Sequence, residues 1–183
     1  MLTINLNPFP VLSTKRFILR QLQESDAEAV FELRSNPVLM QYIARPLTKT
    51  VEDARVYIRT LTSGIENNES ITWAIAVGNT VIGSVGYVNI YKEHHRAEVG
   101  YIVHGDYHRQ GIIKEVLPEV LQYGFQTLHF HSIEAIINPA NVASARVLES
   151  CGFVKEAHFK EKRFFNGQYL DDMIYSLLTP LKK

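Results

Sequence analysis

The residues whose types and order could do chemistry lie in one stretch, AEVGYIVHGDYHRQGIIKEV, from Ala97 to Val116. An apolar strand-like run enters a polar turn, and Arg109, Gln110 and Gly111 stand where that turn opens a helix-like run. The first amides of a helix lack intrahelical partners and lie at the positive end of its dipole, so such a junction can hold an anion. Gly111, with no Cβ, lets the backbone approach a pyrophosphate closely. Arg109 can add a charge-assisted contact. The same order of elements also serves as an ordinary connection in α/β proteins. The turn is not a Walker loop, because GxxxxGK[ST] occurs nowhere, and not a dinucleotide fingerprint, because Gly111 stands alone.

Other reactive side chains favour plainer readings. His94, His95, His104 and His108 form no HxxxH pair on a helix and no Cys/His cluster, so no metal site is expected. Cys151 is the sole cysteine and reads as a small hydrophobe before Gly152. It cannot make an internal disulfide, which fits a reducing interior.

The elements that must position the turn follow from periodicity. KRFILRQL reads as a strand. Ala27, Val30, Phe31 and Arg34 have helical spacing, stopped by Asn36-Pro37. Thr50 caps a helix with acids in its first turn. From Ile71 the period becomes two: ITWAIAV and TVIGSVGYVNIY form a hairpin across Gly78-Asn79, and Arg96 to Val103 make a third strand. After the turn, Ile113, Val116, Leu117, Val120 and Leu121 share one helical face, with Pro118 expected to kink the helix or weaken a turn. HSIEAII is a strand, Asn141 caps a helix closing at Gly152, and Asn166-Gly167 joins a last hairpin. This order predicts an α/β (α+β) fold, a mixed sheet with helices on both faces.

Bulk properties narrow the function classes. The 183 residues suit one domain, read as residues 1–183. Hydrophobic residues make up 46% and charged residues 21%, an ordinary globular balance. Nineteen Lys plus Arg against nineteen Asp plus Glu give zero formal net charge, which argues against a general nucleic-acid binder. With no signal-like N-terminus and no membrane-length apolar run, a cytoplasmic protein without membrane partners is expected. The exposed strand ends leave room for a homodimer, but no residue pattern marks its interface.

About thirty residues beyond the turn stands NPANVASARVLESCGF. With EVGYIV, HRQGII, IIN and NxxSxRVLExxGF in that order, the chain resembles the GNAT superfamily of N-acetyltransferases, and within it the RimJ/RimL-like branch associated with ribosomal-protein N-terminal acetylation. The likeness runs from LSTKRFILRQL to YSLL. It implies a GNAT fold, with a mostly antiparallel central sheet of about seven strands. It also implies acetyl-CoA as co-substrate, with no metal, and an amine acceptor. By the same resemblance, Val99, Tyr101 and Val103 hydrogen-bond the pantetheine arm through their backbone beside a splayed strand. His108, Arg109, Gln110, Gly111, Ile112 and Ile113 form the pyrophosphate loop. Asn141 and Ser144 lie beside the lower pantetheine and the thioester sulfur. The sequence departs from the family at His108, where Arg or Gln is usual, and at Ile113, where a small residue is usual. Leu148 stands where many members carry a Tyr proposed as general acid, which leaves Ser144 to hydrogen-bond the departing thiolate.

The chemistry sets its own demand, because only a neutral amine attacks a thioester. A lysine-like amine has a pKa of about 10.4 and an α-amine about 7.7–8.0. Glu98 matches a family position where a carboxylate acts as base through water; the alternative is a solvent-facing strand glutamate pairing with Arg96 or a neighbour. The oxyanion would meet a backbone N–H near Val99 to Tyr101. Two readings remain: acetyl transfer to a protein N-terminal or small-molecule amine in a ternary complex, or an acyl-CoA sensor without turnover. Trp73 and Tyr87 read as core, with Tyr87 also able to border the acceptor site.

Overall fold

A computed structural model describes residues 1–180. The strands are β1 (Leu12–Ser13), β2 (Ile18–Gln21), β3 (Ile71–Val77), β4 (Thr80–Tyr91), β5 (Arg96–Val103), β6 (Ser132–Ile137), β7 (Val154–Phe165) and β8 (Gln168–Leu178). The α-helices are α1 (Ala27–Ser35), α2 (Pro37–Met40), α3 (Val51–Glu66), α4 (Ile112–Gln126) and α5 (Val142–Ser150). The eight strands form one sheet in the order β1-β2-β3-β4-β5-β6-β8-β7. That is one strand more than the sequence gives reason to expect. KRFILRQL shortens to β2, and Leu12–Ser13 pairs with it across a turn closed by Thr14 N–H donating to the Phe17 carbonyl.

Short connections make the neighbouring strands antiparallel, as at Gly78-Asn79 and Asn166-Gly167. The exception is β5 beside β6. These are parallel, because α4 carries the chain back across one face before β6 begins. Helix α3 starts on a reciprocal cap, with Thr50 Oγ1 accepting from Asp53 N–H and the Asp53 carboxylate accepting from Thr50 N–H. Asn36 ends α1 and caps α2 through its side chain.

Period-two alternation divides β3 and β4 between two cores. Trp73, Ile75, Val85 and Tyr87 pack with Val116, Leu117 and Val120 of α4 and Leu148 of α5. Ala74 and Val81 pack on the opposite face with Ala27 and Val30 of α1 and Ala54 and Ile58 of α3. Tyr87, which the sequence left able to border an acceptor site, is fully buried on the α4 side, and its hydroxyl donates to the Val120 carbonyl at 2.7 Å. Helix α4 runs unbroken through Pro118. Its position is set where Gly124 passes over the Tyr87 ring: a Cβ there would collide with the Tyr87 hydroxyl and lie 2.9 Å from Cζ.

Replacing Gly124 with Ala sets two effects against each other. Helix propensity favours Ala by roughly 0.5–1 kcal/mol. Overpacking a close-packed core costs about 1–3 kcal/mol. Overpacking should win, so Gly124→Ala is expected to lower the melting temperature. In a Tyr87→Phe background, where the colliding oxygen is gone, the same change should cost less. An additive pair of melting shifts would contradict this account of the contact.

Candidate active site

The sheet is interrupted beside β5. Only three register pairs join it to β6: Arg96 with Ser132, Ala97 with Ile133, and Glu98 with Glu134. From Ala135 onward β6 keeps pairing with β8, as Ala135 does with Tyr175 and Ile137 with Met173. Val99, Tyr101 and Val103 keep only β4 partners, namely Tyr87, Val85 and Gly83. The two parallel strands therefore splay, and one edge of β5 loses its ladder. Backbone donors and acceptors at such an edge need another partner, and an extended chain bearing amides can supply one.

At the end of β5 the turn to α4 is built from two left-handed residues, Arg109 (φ 61°) and Gly111 (φ 72°). Successive amides bent in this way converge on an anion. Gly111 is the N-cap of α4 and brings no side-chain cap, so the first helical amides remain open. A Cβ on Gly111 would meet nothing within 4 Å, so it is the backbone angle, not crowding, that calls for glycine here. His108 takes a different part from the one its place in the loop implies. Its Nε2 lies 2.9 Å from the Val103 carbonyl oxygen, which ties the turn back to β5 and occupies that carbonyl. Arg109 is exposed and free of ion pairs with any described residue.

Arg16 is a part of this turn that the sequence did not disclose. Its Nη2 donates to the Gln110 carbonyl at 3.0 Å, and its Nε to Glu115 Oε2 at 2.6 Å. Thr14 Oγ1 donates to the other Glu115 oxygen at 2.7 Å. These bonds, the Thr14 hydroxyl foremost, lower the Glu115 pKa. An acid in the first turn of α4 would repel an incoming anion, and the pairing with Arg16 neutralises it. So exposed an ion pair contributes little to stability, so its consequence is local charge. No short-range signal links Arg16 to a helix some ninety residues away; only the fold does.

Helix α5 stands beside the splay. Asn141 Oδ1 accepts from Ser144 N–H at 3.1 Å, the expected cap, so that oxygen is already used. Ser144 is buried at 7% exposure, and its Oγ lies 2.7 Å from the Tyr101 hydroxyl oxygen. Burial pushes the Tyr101 pKa up to about 12. Leu148 is fully buried in the core, and the Cys151 thiol is pushed up by burial. The resemblance enlists Tyr101 for its backbone alone; the structure adds its hydroxyl.

Glu98 points to the other side of the sheet. Side chains alternate along a strand, so residues three apart, Glu98 and Tyr101, face opposite ways. Its partner is Asn89, whose Nδ2 donates to Glu98 Oε2 at 2.8 Å, and not Arg96. Arg96 instead approaches Glu134, 3.3 Å away, and stacks on Tyr91. Burial raises the Glu134 pKa. Two carboxylates thus stand side by side across β5 and β6, an acidic pairing invisible while 36 positions of sequence separate them. The unpaired seam between β5 and β6, a slot in the ladder, has Ser144 towards one face of the sheet and Glu98 towards the other.

Among the described residues no three His, Cys, Asp or Glu side chains gather as metal ligands, and no helix is long and apolar enough to cross a membrane.

Residues 16–154 match the acetyltransferase (GNAT) domain family. The chain is 34% identical to the uncharacterized N-acetyltransferase YoaA of Bacillus subtilis over 174 residues, covering 94% of this chain and 98% of that one. It is 27% identical to the spermidine N(1)-acetyltransferase of Vibrio cholerae, covering 84% and 87% of the two chains. Its fold superposes on the ribosomal L7/L12 alpha-N-protein acetyltransferase RimL in complex with coenzyme A, with a TM-score of 0.85 at 20% identity over 92% of this chain and 98% of that one. The chain belongs to the GNAT family and is an N-acetyltransferase.

Proposed function

We propose that this protein transfers the acetyl group of acetyl-CoA directly to a primary amine, a protein N-terminus or a small-molecule amine, in a ternary complex. The observation that carries the reading is the slot. A half-unpaired β5 leads from the open amides of α4 to the buried Tyr101–Ser144 pair. In this reading the amides of Arg109 to Ile113 hold the pyrophosphate, and Val99 and Tyr101 bind the pantetheine arm along the free strand edge. Val103 contributes less, because His108 holds its carbonyl. Asn141 borders the lower pantetheine, and Ser144 Oγ donates to the sulfur as the thiolate departs. A backbone N–H near Val99 to Tyr101 meets the oxyanion, which is worth most in a water-excluded site. The amine enters from the face of Glu98, which accepts its proton through water.

The sensor reading draws on Leu148 in place of a tyrosine and on the altered loop at His108 and Ile113. A buried phenol on β5 and a serine in the first turn of α5 supply hydroxyls in place of the missing tyrosine, and this supports turnover. Named relatives act on spermidine and on a ribosomal protein, so the acceptor is an amine whose kind a panel must decide. Thiol release from acetyl-CoA, measured against peptides, polyamines and small amines, should be fastest with an α-amine. Coenzyme binding with no release on any amine would overturn the reading.

Gly111→Val should weaken acetyl-CoA binding about tenfold or more. The left-handed angle costs a β-branched residue roughly 1–2 kcal/mol, and the new methyls occupy the approach of the phosphate. Calorimetry giving the parental affinity would remove the pyrophosphate from this turn. Glu98→Gln should show a pH-dependent defect of definite sign. Above about pH 8 an α-amine is largely neutral, so the mutant should approach the parent. Below about pH 7 the amine is protonated and the loss of a base should be felt. Parallel pH–rate profiles across the range would exclude Glu98 as the base.

A further inference from the structure

We propose that Tyr101 is a positioning residue for the acetyl transfer: its phenol donates to Ser144 Oγ and so directs the serine proton towards the thioester sulfur. This rests on the proposed reading in which Ser144 faces that sulfur. The two oxygens come from β5 and from the first turn of α5, and their 2.7 Å separation is that of a good O–H···O bond.

Each hydroxyl has one proton. The mutual bond uses one of them and leaves the other for a third group. If Ser144 were the donor, the spare proton would sit on the phenol, and Tyr101 has no second acceptor among the described residues. The phenol is the more acidic hydroxyl and hence the better donor. With Tyr101 donating, the spare proton lies on Ser144 Oγ, at the positive end of α5, where a departing thiolate would be stabilised. Donation by Tyr101 also polarises the serine O–H, since hydrogen bonds in a chain strengthen one another.

The bond settles a rotamer as well. A serine within a helix commonly turns its hydroxyl back to the carbonyl four residues earlier. For Ser144, in the first turn of α5, that position lies before the helix, the Ala140 carbonyl already accepts from Val142 N–H, and the hydroxyl is held on Tyr101 instead. Without the phenol, that hold on the serine hydroxyl is lost.

The role is positioning and not proton relay. A phenol pushed up to about 12 does not surrender its proton to a thiolate whose acid ionises near ~8.5, as a model thiol does. That transfer is unfavourable on the order of a thousandfold. The balanced step therefore needs no proton from Tyr101. The amine nitrogen bonds to the thioester carbon, the C–S bond breaks with its electron pair on sulfur, and the proton shed by nitrogen matches the one the thiolate finally gains. Tyr101 and Ser144 keep their protons throughout.

The test is a cycle of Tyr101→Phe, Ser144→Ala and the double variant, with kcat, the Michaelis constant for acetyl-CoA, and melting temperature measured for each. Tyr101→Phe keeps the ring, so packing and the strand backbone are retained. It should lower kcat about tenfold, with the Michaelis constant within about twofold. Ser144→Ala should lower kcat at least as much, and the double variant no further than Ser144→Ala alone, because Tyr101 acts only through the serine. A merely structural bond would move melting temperature and leave kcat alone, which would overturn the proposal. Multiplying kcat losses would also overturn it, since Tyr101 would then act independently of Ser144. A slow Ser144→Ala with a fully active Tyr101→Phe sinks the positioning role and leaves the function standing. A fully active Ser144→Ala sinks the assignment of Ser144 itself.

Discussion

Everything proposed for this molecule depends on a hydrogen-bond ladder that stops. Parallel strands β5 and β6 share three register pairs and then part. The cause is topological: β6 must stay in register with β8 over six residues, while β5 stays with β4 along almost its whole length. With each strand committed on its outer side, the sheet's twist opens the seam between them. An open seam inside a sheet carries unpaired amides and carbonyls, and these cost free energy unless something pairs with them. The fold therefore creates demand for a slender amide-bearing partner at the seam. In the proposed reading the same seam divides the chemistry between two faces, with the acyl donor on the Ser144 side and the acceptor on the Glu98 side.

The turn below the seam is an exercise in local charge. What it offers the proposed pyrophosphate is backbone dipoles rather than a cluster of basic side chains, in keeping with the zero net charge of the chain. That economy makes a single nearby carboxylate consequential. Glu115, in the first turn of α4, would oppose the dipole at short range, and Arg16 with Thr14 cancels it. The departures from the family pattern at His108 and Ile113 matter less on this view. His108 fastens the turn to β5 by its ring, and the helix amides around Ile113 are set by Gly111 and not by side-chain identity.

Much of the fold was legible because its signals are local. Hairpin turns at Gly78-Asn79 and Asn166-Gly167, the Thr50 cap, and alternation through β3, β4 and β5 fall where the sequence places them. The miss at the N-terminus has a local cause too. In KRFILRQL, Phe17 and Leu19 alternate against Ile18 and Arg20, yet only four of the eight residues find a ladder, because Thr14 turns the chain just before it. What sequence could not show is pairing at a distance. Arg16 with Glu115, Tyr101 with Ser144, and Glu98 beside Glu134 join residues brought together only by the crossover through α4. The motif words marked candidate positions for the proposed site, while their hydrogen-bond partners had to come from the fold.

Those partners change what the lost helix tyrosine means. A proton donor need not occupy one place in a chain; it needs only to end near the sulfur with its proton free. Leu148 fills its position with core packing, buried completely against the sheet. In the proposed reading the hydroxyl that faces the sulfur is that of Ser144, in the first turn of α5, and the phenol that directs it comes from the opposite wall, on a strand whose backbone is fixed by β4. A strand residue is a firmer mount than a side chain near a helix end, which frays more readily. The cost is that burial raises the phenol so far that it holds its proton throughout. In the proposed reading Tyr101 therefore offers no proton to the leaving group; it holds the Ser144 hydroxyl as a fixed dipole where charge develops, which needs no reorganisation as the thioester breaks.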